Sequence, residues 1–369
     1  MSLTTPATPL ADLRELVKTS SQLILRHQAA TGAFPASPDY AVYKFCWLRD
    51  GSFTADGLSR HGHRDAAEAF HRWCARLLRD RAAQVTEIAA YTASGRAVPG
   101  ELLLPARFTL DGKESHEPWW EFQLDGYGTW IWALRAHLNR NSQDAAAYRD
   151  AIATVVRYLT CLWEQPCYDW WEENTEHRHV STLASIEAGL SAALSLGTLD
   201  DELAATASVA LARLRATVLA RGQNHGHLVK WLDGSAVDGS LLAALAPFAT
   251  TNGTVQELTL AAVERDLVAS FGVYRYLEDT FYGGGRWPVL SGFLGLAYTR
   301  AGRMPDATAV LSWIASTAND DGELPEQVGP LLHPDREAEW IDRWGTVATP
   351  LLWSHGMYLM LADAVGVRA

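Results

Sequence analysis

The 369-residue sequence has no long apolar run and no basic cluster, and each absence disfavours a class of protein. No stretch of 18 apolar residues is present, so we expect no membrane-spanning helix. The N-terminus lacks the basic and apolar regions of a signal peptide, and the sequence therefore predicts a cytoplasmic protein. The net charge is −12 and Lys and Arg never form a run, which disfavours a nucleic-acid partner.

Cysteine is also scarce, and no motif for a metal or a cofactor occurs. The four cysteines form no C-x-x-C pair, so neither a zinc site nor a redox motif is predicted. Cys161 and Cys167 lie close enough in sequence to pair, but we expect free thiols. The triplet Gly283-Gly284-Gly285 is a poor phosphate loop, because no predicted strand precedes it and no G-K-[ST] follows. The sequence therefore indicates a protein that uses neither metal nor cofactor.

Strand patterns are rare, and helical periodicity dominates. The one strand-like patch, Ala106–Leu110, is followed by Asp111-Gly112 and predicts a small hairpin. About twelve helices are predicted, over residues 10–29, 52–61, 65–88, 126–140, 144–163, 180–196, 200–221, 238–246, 254–270, 289–302, 306–318 and 349–366. No linker divides them, so we expect one all-α domain over 1–369. Helices joined by short and long loops in alternation favour an α/α toroid. A solenoid is the alternative, although no fixed repeat is present.

Tryptophan is abundant, with 15 residues in the chain. Many lie in polar, loop-like segments: Trp47, Trp119, Trp120, Trp170, Trp171 and Trp287. Taken singly, each one is as readily explained by core packing. Their clustering beside Asp, Glu and Arg favours a sugar site, because flat aromatic faces stack on sugar rings and charged neighbours bind hydroxyls.

Four polar and aromatic segments interrupt the helices and hold the candidate functional residues. The Arg49-Asp50 pair is either a helix cap with a surface ion pair or a fork that binds sugar hydroxyls. The adjacent acids Glu172 and Glu173 are either a solvated first turn or a site for a general acid. An indole face in a dry cleft would raise the pKa of such a carboxyl. Glu326 lies in a short loop, where functional residues are over-represented.

Two carboxylates in distant loops, surrounded by tryptophan and without a metal motif, predict glycoside hydrolysis. One carboxyl group protonates the leaving oxygen, and the second activates water or attacks directly. Spacing along the sequence does not give their separation, so the residues alone leave inversion and retention both open.

Five segments, in the same order along the chain, resemble those of glycoside hydrolase family fifteen, the glucoamylase family. The similarity runs from about residue 40 to residue 361. The segments are Trp47-Leu-Arg-Asp50, Trp171-Glu172-Glu173, Arg275-Tyr276-x-x-Asp279-Thr280-x-Tyr282 followed by Trp287, Glu326-Gln327, and Trp353-Ser354. The resemblance implies an (α/α)6 barrel with a pocket for the non-reducing end of a substrate. It also implies inversion, with release of β-glucose.

The same resemblance implies a role for individual residues. Glu172 takes the position of the general acid and Glu326 that of the general base. The implied substrate-binding residues are Trp47, Arg49, Asp50, Trp119, Trp171, Glu173, Arg275, Asp279, Tyr282 and Trp287. Arg286 departs from the family pattern, which often has proline before the tryptophan, and this change is expected to alter the subsite for the next sugar.

The substrate expected from the resemblance is a short α-gluco-oligosaccharide. Small members of the family act on isomaltose, so we expect α-1,6 linkages first, then α-1,4 linkages, then trehalose. An α/α-barrel disaccharide phosphorylase is the alternative from a different class. Such an enzyme uses phosphate in place of a base, and Glu326 in a base-like segment argues against it. A sugar-binding protein without activity is a further alternative, disfavoured because both Glu172 and Glu326 are present.

Overall fold

Six helices form a closed inner ring in the computed structural model, which describes residues 10–115 and 122–369. Each of these helices packs on the next, and the last packs on the first. They are α2 (Leu48–Arg60), α5 (Asp125–Arg140), α7 (Val180–Leu196), α9 (Leu242–Leu245), α11 (Pro288–Arg300) and α14 (Leu352–Ala364). The closed ring decides between the toroid and the solenoid in favour of the toroid.

Six further helices cover the outside of the ring. They are α1 (Leu10–His27), α3 (Arg64–Asp80), α6 (Arg149–Leu162), α8 (Asp201–Arg221), α10 (Gly253–Leu267) and α12 (Met304–Ala315). Along the chain inner and outer helices alternate, and α1 packs on α14, so the first outer helix joins the last inner one. The inner helices are buried on nearly every side, whereas outer helices such as α3 and α8 bury one stripe. This arrangement confirms the predicted (α/α)6 barrel.

Glycine permits the closest contacts between inner helices. A Cβ atom on Gly189 of α7 would lie 2.5 Å from the Cα atom of Gly128 on α5. Likewise, a Cβ atom on Gly57 of α2 would lie 2.6 Å from the carbonyl oxygen of Gly356 on α14. Real Cβ atoms do not approach so closely, so these glycines set the spacing of the ring.

The structure corrects the predicted elements at several places. The predicted helix 65–88 is two helices, because the chain breaks at Arg81 between α3 and α4 (Ala82–Ala93). Helix α13 (Glu337–Trp344) was not predicted, and 238–246 contains a 3-10 turn followed by the four-residue α9. Fourteen α-helices therefore occur in the described residues, where about twelve were expected.

Seven short strands form three small sheets outside the helices of the described chain. They are β1 (Cys46–Trp47), β2 (Arg107–Phe108), β3 (Gln223–Asn224), β4 (His227–Leu228), β5 (Val268–Ala269), β6 (Gly272–Tyr274) and β7 (Arg286–Trp287). The hairpin predicted at 106–110 is wrong in its pairing, because β2 pairs antiparallel with the distant β1. A tight turn does follow β2, where the Gly112 amide donates to the Thr109 carbonyl oxygen at 2.8 Å.

Two expectations about composition can be compared with the structure. All four cysteines are free thiols. Helix α8 has the length and a mean hydropathy, 1.4, that would allow it to cross a membrane, where the sequence analysis expected no such segment. This helix packs along α7 and carries Arg213 and Arg215, which pair with Glu164 and Glu187. A single helix of this kind is weak evidence for a membrane span.

Candidate active site

The predicted site residues converge on a cavity at the N-terminal ends of the inner helices. Aromatic and charged side chains line it, as is usual for small-molecule sites. The predicted segments lie at the start of an inner helix or in the connection that leads into one, which explains how distant segments meet. The predicted residues that line the cavity are Trp47, Arg49, Asp50, Trp171, Glu172, Glu173, Arg275, Trp287 and Glu326. The predicted residue Trp119 lies outside the described residues.

Glu326, the predicted base, is a buried carboxyl group with one tethered oxygen. Its side chain lines the cavity although the residue is only 2% exposed. The Tyr43 hydroxyl donates to Oε1 at 2.9 Å, whereas Oε2 has no hydrogen-bond partner in the described part of the chain. Burial raises the pKa of Glu326 to about 8, and the opposing effects of Tyr43 and Arg275 are smaller. When ionised, such a group is a strong base for a water molecule.

The loop that carries Glu326 is fixed by the start of α14. The Leu324 amide donates to Nε2 of His355 at 3.0 Å, and the Ser354 hydroxyl donates to the Pro325 carbonyl oxygen at 2.8 Å. The Glu326 amide itself donates to the Ala348 carbonyl oxygen at 2.9 Å. The Trp353-Ser354 segment recognised in the sequence therefore holds the base loop in place.

Glu172, the predicted acid, lies in a turn with unusual backbone geometry. Its φ angle is 61°, a left-handed conformation that is uncommon outside glycine and clusters at functional sites. The Trp47 indole nitrogen donates to Glu172 Oε1 at 2.5 Å. The Trp47 ring lies 5.8 Å from the Tyr43 ring, and Tyr43 in turn binds Glu326. Two adjacent aromatic residues therefore link the two carboxyl groups across one wall of the cavity.

The Arg49-Asp50 pair is buried in the first turn of α2, so the surface ion pair considered above is wrong. The Arg49 guanidinium contacts Asp125 at 2.8 Å and Asp50 at 3.4 Å. It also lies over the Trp353 ring at 5.1 Å, which holds the group flat against the cavity wall. Burial raises the pKa of Asp50 to about 6, despite the nearby guanidinium. Both residues line the cavity, so their buried polar atoms are available to a bound molecule.

Arg275 organises the opposite side of the cavity. Its Nε atom donates to Asp279 at 2.7 Å, and NH2 contacts Glu173 at 3.4 Å. The guanidinium lies over the rings of Trp171 and Trp287 at 5.1 and 5.3 Å. Burial raises the pKa of Glu173, an effect that Arg275 opposes. The aromatic and charged groups predicted separately from the sequence therefore form one packed unit.

Two predicted binding residues lie behind the cavity lining. Asp279 is fully buried and pairs with Arg275, so it orients that guanidinium. The Tyr282 hydroxyl contacts the Tyr40 hydroxyl at 2.5 Å and donates to the Gly345 carbonyl oxygen at 2.9 Å. Arg286, the departure from the family pattern, is also absent from the lining, and its guanidinium binds the Ala269 carbonyl oxygen at 3.0 Å.

Several lining residues were not among the predicted site residues. They are Ala36, Val42, Tyr43, Arg107, Trp170, Phe281, Trp340, Trp344, Leu351 and Trp353. Tyr43 adjoins the Trp47 segment and Phe281 adjoins Tyr282, so proximity to a motif was an available signal. Trp340 and Trp344 belong to the unpredicted helix α13, and no motif marks them.

This arrangement can supply both parts of an acid–base reaction at a glycosidic bond. Glu172 accepts a hydrogen bond from an indole and Glu326 is buried, and both line a cavity with aromatic walls and buried charged groups. In the described residues no group of three or more His, Cys, Asp or Glu could hold a metal ion. The fold and the site together define a glycoside hydrolase of the (α/α)6-barrel class.

Comparison with known proteins gives the particular family. The sequence profile "Glycosyl hydrolases family 15" matches residues 13–303, and the chain therefore belongs to that family. The isomaltose glucohydrolase of Kribbella flavida is 50% identical over 364 residues, covering 97% of this chain and 94% of the relative. A solved wild-type glycosidase is also 50% identical, covers 98% of both chains and superposes with a TM-score of 0.94. A variant of a glycosidase solved in complex with glucose is 49% identical, with the same coverage and TM-score.

A more distant solved structure shares the fold alone. The glucoamylase of Saccharomycopsis fibuligera superposes with a TM-score of 0.73 and is 17% identical, with 99% of this chain and 98% of the other covered.

Proposed function

We propose that the chain is an inverting, exo-acting α-glucosidase that releases β-glucose from short α-gluco-oligosaccharides. Isomaltose and longer α-1,6 oligosaccharides are the proposed substrates, with α-1,4 oligosaccharides next and trehalose after them. The α-1,6 preference rests on 50% identity to an isomaltose glucohydrolase over nearly the whole chain.

The observation that carries the mechanism is the environment of Glu326. Glu326 lines the cavity, one of its oxygens is held by Tyr43, and the other has no hydrogen-bond partner among the described residues, which leaves it available to accept a proton from water. Glu172 accepts a hydrogen bond from the Trp47 indole and Glu326 accepts one from the Tyr43 hydroxyl, so each carboxyl group has a donor of its own. This geometry favours a water molecule between base and sugar, and we expect a carboxyl separation of about 6.5–9.5 Å.

Exo-action is supported by the buried charges that line the cavity. Arg49, Asp50 and Arg275 are each less than a tenth exposed, yet all three contribute to the lining. Buried charged groups of this kind bind a terminal sugar through its hydroxyls in the absence of competing water. A polymer that continued past them would have to desolvate these groups without replacing their hydrogen bonds.

The test is a hydrolysis panel of isomaltose, maltose, trehalose and their longer homologues, with the anomer of the released glucose followed by NMR. The proposal expects β-glucose as the initial product and the highest kcat/KM on an α-1,6 substrate. On isomaltotriose, where the released glucose comes only from the non-reducing end, initial α-glucose would contradict inversion. Turnover that requires inorganic phosphate and yields a sugar phosphate would identify the phosphorylase alternative instead.

A further inference from the structure

We infer that Lys230 is a positioning residue for the acid Glu172, acting as the shared cation of two buried carboxylates that hold the Trp171–Glu173 segment. This inference rests on the proposed function, because it assigns Glu172 the role of the acid. Lys230 is one of four lysines in the chain and the only buried one among the described residues.

The first of the two carboxylates fixes the backbone around Glu172. Asp169 Oδ1 accepts hydrogen bonds from the amides of Trp171, at 3.0 Å, and Glu173, at 2.9 Å. The Glu172 amide donates to the Asp169 carbonyl oxygen at 3.1 Å, which closes the turn. Glu172 adopts its left-handed conformation inside this turn, so the direction of its side chain depends on Asp169.

The second carboxylate fixes the neighbouring indole. Asp238 accepts from the Trp171 indole nitrogen at 3.0 Å, and from the amide and hydroxyl of Ser240 at 2.8 and 2.6 Å. Asp238 precedes α9, whereas Trp171 precedes α7, so this contact ties the acid segment to the next inner helix.

Lys230 connects these two carboxylates and a third element. Its ammonium lies 3.2 Å from Asp238 and 3.7 Å from Asp169, with the residue only 5% exposed. It also lies 3.3 Å from the centre of the Tyr276 ring, a cation–π contact, and the Tyr276 hydroxyl donates to Glu173. Asp169, Asp238 and Tyr276 each hold part of the segment that contains Glu172, and Lys230 contacts all three.

Removal of this cation would leave two buried carboxylates close together without a compensating charge, which is strongly unfavourable in a low-dielectric interior. Repulsion would loosen both hydrogen-bond sets and displace Glu172 from the leaving oxygen. General-acid assistance contributes about 10²–10⁴-fold to a rate, and it matters most when the leaving group is poor. The loss of kcat should therefore depend on the leaving group, whereas a general loss of folded protein would lower the rate equally for every substrate.

The test compares isomaltose with an activated aryl α-glucoside, such as the 2,4-dinitrophenyl derivative, in Lys230→Met, Glu172→Gln and wild type. We expect Lys230→Met to lower kcat about 100-fold on isomaltose and less than about 10-fold on the aryl glucoside, with little change in KM. Lys18→Met, which removes an exposed lysine from α1, is the matched control and should behave as wild type.

Each remaining outcome decides the question. If Lys230→Met loses activity equally on both substrates, or loses none on either, the inference is overturned. The proposed function survives that result as long as Glu172→Gln still loses activity selectively on isomaltose. Equal losses in Glu172→Gln would reject the acid assignment and the inference with it. If Lys230→Met does not fold, Asp238→Asn replaces it, and the same selectivity for the leaving group is required of that variant.

Discussion

Tyr43→Phe should raise the pKa that governs activity on the acidic side of the pH profile. The phenol donates to Glu326 Oε1 at 2.9 Å, and this bond lowers the pKa of Glu326 by stabilising its ionised form. Burial is the larger effect and raises that pKa to about 8, from 4.5. Wild-type kcat/KM should therefore increase with pH as Glu326 ionises, with a midpoint displaced from 4.5 toward 8.

The magnitude of the Tyr43 effect follows from the strength of a hydrogen bond to a charged group. Such a bond contributes about 1.5–3 kcal/mol, and one pKa unit is equivalent to about 1.4 kcal/mol. Its loss should raise the midpoint by about one to two units. At a pH below both midpoints, the ionised fraction and hence kcat/KM should fall about 10–100-fold, and the loss should disappear at a pH above both.

The assay is the dependence of kcat/KM on pH for isomaltose in wild type and Tyr43→Phe. Tyr298→Phe is the matched control, because Tyr298, near the C-terminal end of α11, donates to Glu264 of α10 and does not line the cavity. A midpoint that stays in place or moves to lower pH in Tyr43→Phe would refute the reasoning. So would a loss of activity that is the same at every pH.

Three further predictions concern catalysis and stability. Glu326→Gln should lower kcat by several orders of magnitude. It should also raise Tm at pH 8 but not at pH 4, because a buried carboxyl group with a raised pKa destabilises the native protein as the pH rises from 4.5 to 8. Gly189→Ala should cost about 1–3 kcal/mol in urea unfolding through its clash with Gly128, whereas Gly100→Ala, with open space around it, should not. Burial lowers the pKa of His71 to about 3. Its contribution to the free energy of unfolding is therefore present above pH 6.5 and declines by up to about 4 kcal/mol as the pH falls toward 3. His71→Phe should flatten this pH dependence when unfolding is measured at a series of pH values.

The sequence allowed most of the helices and about half of the cavity lining to be predicted, nine of 19 residues, because both depend on local patterns. Helical periodicity is a short-range signal, and the Trp47, Glu172, Arg275 and Glu326 segments are each contiguous in the chain. Their meeting in space follows once the barrel is known, since each segment lies at the start of an inner helix or in the connection that leads into one. The interpretation of residues 1–369 as one domain stays a prediction, as do the catalytic roles of individual residues.

The break at Arg81 was missed because its cause lies elsewhere in the chain. No glycine or proline marks the end of α3, and apolar periodicity continues through it. The Arg81 guanidinium instead binds the Leu77 carbonyl oxygen at 2.9 Å and that of Gly112 at 3.3 Å, and lies over the Phe108 ring at 4.6 Å. Tertiary contacts with the turn after β2 therefore favour the break over a continuous helix.

Helix α13 was missed for a different reason. It has only eight residues, too few for periodicity to be distinguished from a loop. The Trp340 indole donates to the Thr280 carbonyl oxygen at 2.8 Å, and its ring packs on Phe281 at 5.0 Å. Contacts with the segment after Arg275 stabilise the helix and bring two tryptophans to the cavity, so neither its existence nor its role could be inferred locally.

The distribution of buried charge distinguishes Glu326 from the buried aspartates of the cavity wall. Arg49 neutralises Asp125 and Asp50, and Arg275 neutralises Asp279, in direct contacts within the wall. Glu326 has no such cation in contact among the described residues and is held by the neutral phenol of Tyr43 alone. Pairing with an arginine would lower the pKa of Glu326 and weaken it as a base. The barrel therefore pairs the charged groups that are proposed to orient the substrate and leaves the proposed base unneutralised, at the expense of stability at high pH.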